Sequence, residues 1–138
     1  MKKINKEIPG LKIIKFKKFV DKRGYFLEVY NKKKQKNINL SFVQQNLSCS
    51  KKINTFRGLH FQKGKWAQDK FLIVIRGEIV DFILDLRPNS KTYLKFKNIK
   101  INEKSNFGLY IPKGCAHGFL TKKNNTIVIY NTTSTYSK

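Results

Sequence analysis

Long apolar runs, cysteine, histidine and acidic side chains are all scarce in this sequence, and each scarcity removes possibilities. No apolar stretch approaches the roughly 20 residues needed to cross a bilayer, so no membrane partner is expected. The opening MKKINKEIPGLKIIKF starts basic but builds neither a continuous apolar segment nor a small-residue cleavage site. No signal peptide is read, and a cytoplasmic location is expected. The two cysteines, Cys49 and Cys115, lie far apart and form no CxxC pair, which points to free thiols in a reducing compartment. Eight Asp and Glu stand against 30 Lys and Arg, for a net charge of +22. That excess favours anionic partners such as a phosphorylated small molecule. Only four of the basic residues are Arg, and Asn is abundant. The lysines therefore read first as a solvated surface, then as an anion-attracting field, and last as a nucleic-acid contact, so no nucleic-acid partner is expected.

What is present is enough for one globular domain spanning residues 1–138. Forty per cent of residues are hydrophobic and eleven are Phe, which supports a packed core rather than disorder. Residues 11–20 alternate loosely, DKRG at 21–24 reads as a turn, and 25–30 reads as a strand. The stretch 31–39 is a polar, lysine-dense loop. Extended segments are predicted at 41–48, 54–62, 70–76, 79–86, 92–101, 107–111, 117–121 and 126–131, with turns at 76–78 and 87–90. Many short strands with no helix-period segment predict an all-β barrel or sandwich. No internal repeat or linker is evident.

There are only two histidines, His60 and His117. A lone His is more often structural than catalytic, but both occupy unusual settings. His60 lies in RGLHFQ, and His117 lies in IPKGCAHGF, where Pro112 and Gly114 shape a turn. Histidine is the side chain best suited to move protons near neutral pH. Asp81 shares one strand face with Ile79 and Ile83, and a carboxylate on that face suggests a lined pocket. Trp66 could stack on a ligand or pack a loop.

The spacing Pro112-x-Gly114-x-x-His117 resembles the second cupin motif. The first cupin motif supplies two His and a Glu as metal ligands. The corresponding stretch here is His60-Phe61-Gln62 with Lys70 beyond, and it holds no nearby carboxylate. A catalytic metal needs about three protein ligands, so no metal and no cofactor is expected.

The segments DKRGYFLEVYN, FVQQNLSCS, RGLHFQ, QDKFLIVIRGEIVDFILDLRPNS, IPKGCAHGF and YNTTSTY run in order from Asp21 to Tyr136. Together they resemble the dTDP-4-dehydrorhamnose 3,5-epimerase family of metal-free cupins. The resemblance implies an all-β, cupin-type double-stranded β-helix (jelly-roll) barrel. It also implies epimerisation at carbon 3 and/or 5 of a nucleotide-diphosphate 4-keto-6-deoxy sugar. By resemblance, His60 is the base that removes the proton next to the keto group, Lys70 stabilises the enolate, and Tyr130 returns a proton from the opposite face. Arg57, Gln44 and Asn46 would contact the diphosphate or sugar. Asp81 and His117 match a buried pair lining the pocket. Arg23 and Glu28 belong to an N-terminal segment that in the family reaches the partner subunit's site, so a homodimer is expected.

The chemistry suits these residue types. A proton next to a ketone is weakly acidic, so the site must stabilise an oxyanion, and one donor can contribute on the order of 10²–10³ in rate. Inversion needs removal on one face and delivery on the other, hence two groups of different acidity. A diphosphate calls for Arg and polar donors. Family members usually continue past YNTTSTY into a tail whose Asp pairs with the catalytic His. The sequence ends at Lys138, so that Asp has no counterpart, and one-carbon epimerisation or another keto-sugar remains open. Two further readings stay open. One is a keto-sugar isomerase, which would favour a His where Gln62 stands. The other is a non-catalytic nucleotide-sugar-binding cupin.

Overall fold

Strand alternation is clearest in the segment from Glu78 to Asp85, where Ile79, Asp81, Ile83 and Asp85 are buried and the residues between them are half-buried. The period of two sends one set inward and the other outward. A computed structural model describes residues 7–36, 38 and 41–138. Its strands are β1 (Lys12–Lys15), β2 (Lys18–Asp21), β3 (Gly24–Leu27), β4 (Gln44–Ser50), β5 (Phe56–His60), β6 (Lys70–Arg76), β7 (Glu78–Asp85), β8 (Phe96–Asn102), β9 (Phe107–Ile111), β10 (Cys115–Thr121) and β11 (Thr126–Thr132).

A five-stranded sheet runs β1-β9-β6-β11-β4, a four-stranded sheet runs β5-β10-β7-β8, and β2 with β3 forms a separate hairpin. All pairings are antiparallel. The two larger sheets face each other. Leu72, Val74, Leu109, Ile111 and Val128 from one pack with Ile79, Ile83, Ile101 and Phe119 from the other in one core cluster. Each such side chain contributes about 1.5–3 kcal/mol by leaving water. This is the all-β jelly-roll barrel that the family resemblance implies; strand patterning alone anticipates a barrel or a sandwich. A second cluster, Phe16, Phe71 and Tyr110, sits on the outer side of the five-stranded sheet, with Leu27, Val29 and Phe42 packed against it.

Several boundaries differ from expectation: β4 is shifted from 41–48 to Gln44–Ser50, and β5 is shorter than 54–62, at Phe56–His60. The strand predicted over 92–101 begins only at Phe96, because residues 91–94 form a turn with Leu94 at φ 59°. Asp85 dictates that turn: its carboxylate accepts bonds from the Ser90 and Thr92 hydroxyls, and its backbone carbonyl accepts from Leu94 N at 2.8 Å. The strand expected at 25–30 stops at Leu27, and β10 begins two residues early, at Cys115. A short 3-10 turn at Gly64–Trp66 had no sequence signal.

Candidate active site

One end of the barrel interior is left open as a cavity of about 1240 Å³, lined by β4, β5, β6, β10, β11 and the C-terminal segment. Its walls follow from strand alternation. In β4 Gln44, Asn46 and Ser48 form a half-buried polar row, and the exposed Leu47 and Cys49 between and beyond them also border the cavity. In β6 and β11 the inward faces turn from aliphatic (Leu72, Val74, Val128) to polar (Lys70, Tyr130) toward the open end.

Beside His60, strands β5 and β10 approach unusually closely. Gly58 has φ +125°, and a Cβ there would lie 2.6 Å from Gly118 Cα; a Cβ on Gly118 would lie 2.7 Å from the Arg57 carbonyl oxygen. Only glycine fits both positions. The close approach brings His60 into register opposite His117, and both line the cavity.

Of the residues expected at the site, His60, Lys70, Tyr130, Arg57, Gln44, Asn46 and His117 are brought together there. Arg57 is braced on the wall: its Nε donates to Ser50 Oγ at 3.0 Å and its Nη2 to the Cys49 carbonyl at 3.2 Å. Gln44 Nε2 donates to Asn46 Oδ1 at 2.9 Å. Lys70 is 8% exposed. Burial pulls its amine below the usual lysine range, and the Asp81 charge opposes that pull. Among the described residues no Asp or Glu lines the cavity, so Arg57 and Lys70 leave it cationic.

The buried pair expected of Asp81 and His117 is present: His117 Nε2 bonds Asp81 Oδ2 at 2.7 Å, and of the two only His117 is among the lining residues. Arg23 and Glu28, expected at a partner subunit's site, lie away from this chain's own cavity. Arg23 pairs with Asp21 at 2.6 Å in the β2–β3 turn, and Glu28 pairs with Lys34 at 2.6 Å. Leu27 and Val29, which flank Glu28, anchor that segment on the outer side of the five-stranded sheet. Trp66 is not among the lining residues and lies under Lys65, 5.0 Å from its ring centroid.

The structure adds contacts that the motifs do not single out. Gln62 Nε2 donates to the Ser137 carbonyl at 3.0 Å, and Ser137 N donates to Gln62 Oε1 at 2.9 Å. Gln68 Nε2 donates to the Ser134 carbonyl at 3.1 Å, and Tyr136 N donates to Gln44 Oε1 at 3.0 Å. Three glutamines thus fasten the C-terminal segment along the cavity, and Tyr136 and Ser137 join its lining. Polar residues at inward positions of β4 were a usable signal for Ser48. Nothing local in the sequence marks the glutamine ties.

The residues at the cupin metal position do not form a ligand set. His117 is bonded to Asp81, Gln62 is tied to Ser137, and among the described residues no three His, Cys, Asp or Glu side chains converge.

Comparison with known proteins agrees with this geometry. A family model described as dTDP-4-dehydrorhamnose 3,5-epimerase matches residues 5–138. A protein of that name from Sinorhizobium fredii is 41% identical over 132 residues, covering 94% of this chain and 68% of the relative. The crystal structure of the Bacillus anthracis epimerase, with TDP and PPi bound, superposes with TM-score 0.89 at 42% identity, covering 92% of this chain and 74% of that one. A Legionella pneumophila dTDP-6-deoxy-D-glucose-3,5-epimerase in complex with dTDP-4-keto-L-rhamnose gives TM-score 0.89 at 34% identity, over 97% of this chain and 72% of that one.

Proposed function

The chain belongs to the dTDP-4-dehydrorhamnose 3,5-epimerase family, and on that premise we propose that it inverts carbon 3 and/or 5 of a dTDP-linked 4-keto-6-deoxy sugar. The observation that carries the reading is one acid-free cavity holding His60, Lys70 and Tyr130 together with Arg57. The nucleotides bound in the Bacillus and Legionella structures support the ligand class.

In this mechanism His60 takes the proton from the carbon beside the keto group. The electron pair moves onto the keto oxygen, where the Lys70 ammonium stabilises the enolate. Tyr130 delivers a proton to the opposite face and inverts the centre. The braced Arg57 guanidinium, with Gln44 and Asn46, is suited to the diphosphate. No metal takes part. Gln62, held by Ser137, leaves no second base beside His60, which favours epimerisation over keto-position isomerisation.

The decisive experiment is incubation with dTDP-4-keto-6-deoxyglucose in heavy water, following carbons 3 and 5. Deuterium wash-in with inversion is expected. Nucleotide binding without exchange would instead make the chain a non-catalytic binding module.

A homodimer is part of the proposal. The β2–β3 hairpin exposes Phe19, Val20, Tyr25 and Phe26, of which Val20 is 74% exposed. A separate apolar groove on the outer side of the five-stranded sheet is lined by Val29, Phe42, Ile73, Ile75 and Ile129. Apolar surface on both supports burial against a second copy, with Arg23 and Glu28 carried toward the partner's site. Only monomer by light scattering, at full activity, would overturn this. The unbonded thiols of Cys49 and Cys115 support a reducing, cytoplasmic setting.

A further inference from the structure

The chain that follows β11 ties the two sheets together at the open end of the barrel. β11 ends at Thr132. Thr133 N then donates to the Asp69 carbonyl at 3.1 Å, and the Thr133 hydroxyl accepts the Asp69 N–H at 2.9 Å. Gln68 Nε2 reaches the Ser134 carbonyl, and Gln44 Oε1 accepts the Tyr136 N–H. These partners lie at the starts of β6 and β4 in the five-stranded sheet. At Ser137 the segment crosses to the other sheet. The Ser137 N–H and carbonyl both engage the Gln62 carboxamide, at 2.9 and 3.0 Å, and Gln62 follows β5 of the four-stranded sheet. Tyr136 is 66% exposed, so its ring adds little burial and hydrogen bonds dock the segment.

β5 is the edge of its sheet, and His60 is its last residue. Backbone pairing holds that end from one side only, through β10. Lys70 and Tyr130 belong to the other sheet. We propose that Gln62 is a positioning residue: its paired bonds to Ser137 hold the His60 end of β5 in place against the sheet that carries Lys70 and Tyr130. The inference rests on the epimerase reading above and gives Gln62 a role through His60 rather than through contact with substrate.

The geometry of the tie fits that role. A carboxamide that gives one bond to a residue and takes one from it copies the exchange between paired residues of antiparallel strands. Such a pair fixes direction as well as distance. It uses only the backbone of Ser137. Gln62 stands two residues beyond His60, a span of about 7 Å of extended chain, so the tie acts close to the base. An inverting reaction needs the base and the acid within reach of opposite faces of one carbon. A misplacement of about 1 Å can cost about 10² in rate. His60 lies on one sheet and Tyr130 on the other, so the spacing of base and acid depends on what joins the sheets at this end.

With only two histidines in the chain, imidazole NMR reads the base without turnover. In Gln62→Ala the His60 signals should move or broaden, while those of His117, bonded to Asp81, should hold. The Ser137 amide should exchange with solvent at least about tenfold faster. Deuterium wash-in with inversion on dTDP-4-keto-6-deoxyglucose should lose about tenfold or more in kcat per folded molecule, with KM within about twofold of the parent. Ser137→Pro removes the N–H that Gln62 accepts and should reproduce these changes. Combining it with Gln62→Ala should cost no more than either change alone. An unmoved His60 signal, a parent kcat in Gln62→Ala, or additive losses in the double variant overturns the inference. A raised KM at parent kcat also overturns it, because the segment is then only a wall for the ligand. A displaced His60 signal in Gln62→Ala, with no deuterium exchange in the parent, leaves the positioning standing and removes the epimerase reading.

Discussion

Strand β7 carries two fully buried aspartates four residues apart on one face, Asp81 and Asp85, and they live in opposite environments. Asp85 Oδ1 accepts from Arg87 Nε at 2.8 Å and Arg87 N at 3.1 Å. Its Oδ2 accepts from Arg87 Nη2 at 2.9 Å and from the Ser90 and Thr92 hydroxyls at 2.6 Å each. Those donors outweigh burial and hold the carboxyl far below the usual range. Asp81 has one imidazole and one unfilled oxygen, and burial pushes its carboxyl up. Both side chains are closed to solvent, but Asp85 lies close to the surface among its donors while Asp81 lies deep in the barrel with one partner, so depth and hydrogen bonding together set the two carboxyls apart.

The largest effects are expected at the cavity that Asp81 adjoins. His60→Ala should abolish deuterium wash-in, and Tyr130→Phe should retain partial exchange at one carbon but block inversion, each losing about 10²–10⁴ in rate. Parent-rate exchange in His60→Ala would move the base elsewhere and leave Asp81 beside no reaction. Next, Asp85→Asn should lower unfolding free energy by about 2–3 kcal/mol in urea denaturation, because it disrupts a network of charge-assisted bonds. Exchange per folded molecule should stay near the parent value. A cost well under about 1 kcal/mol would erase the structural half of the contrast.

The smallest effects concern pH, and the two aspartates should differ in sign. Asp85 binds its proton more weakly folded than unfolded. Its contribution is therefore present above the unfolded value near about 4 and is lost as pH falls toward the folded value. Asp81 binds its proton more tightly when folded. Its contribution is present below about pH 4 and is lost as pH rises through the elevated folded value. Urea titrations on both sides of that point should show Asp85→Asn flattening the acid loss and Asp81→Asn flattening the loss on the alkaline side. Slopes of the same sign would break the comparison.

Much of this was legible in the chain. Alternation placed β6, β7, β9 and β11 within a residue or two, since a two-sided strand needs only its own neighbours to declare its faces. RGLHFQ and IPKGCAHGF located His60 and His117, because glycines around a histidine record a close strand approach. Asp81 was marked as an interior carboxylate and the resemblance paired it with His117, but which of the two borders the cavity was not readable, because depth depends on the strand across from it. Residues 92–95 carried a strand-like pattern and became a turn because Asp85 captures Ser90 and Thr92.

The sequence by itself determined the all-β class and the cationic, cysteine-poor character, which follow from composition and local periodicity, while the barrel family came from the resemblance of its short motifs to a known family. Only the tertiary structure decided which polar residues share the cavity, that Gln62 and Gln68 hold the C-terminal segment along it, and that Asp81 and Asp85 differ. The bond from Gln62 to Ser137 spans 75 residues of chain, and that from His117 to Asp81 spans 36. The strength of such contacts depends on distance and burial, which exist only once the two sheets have packed.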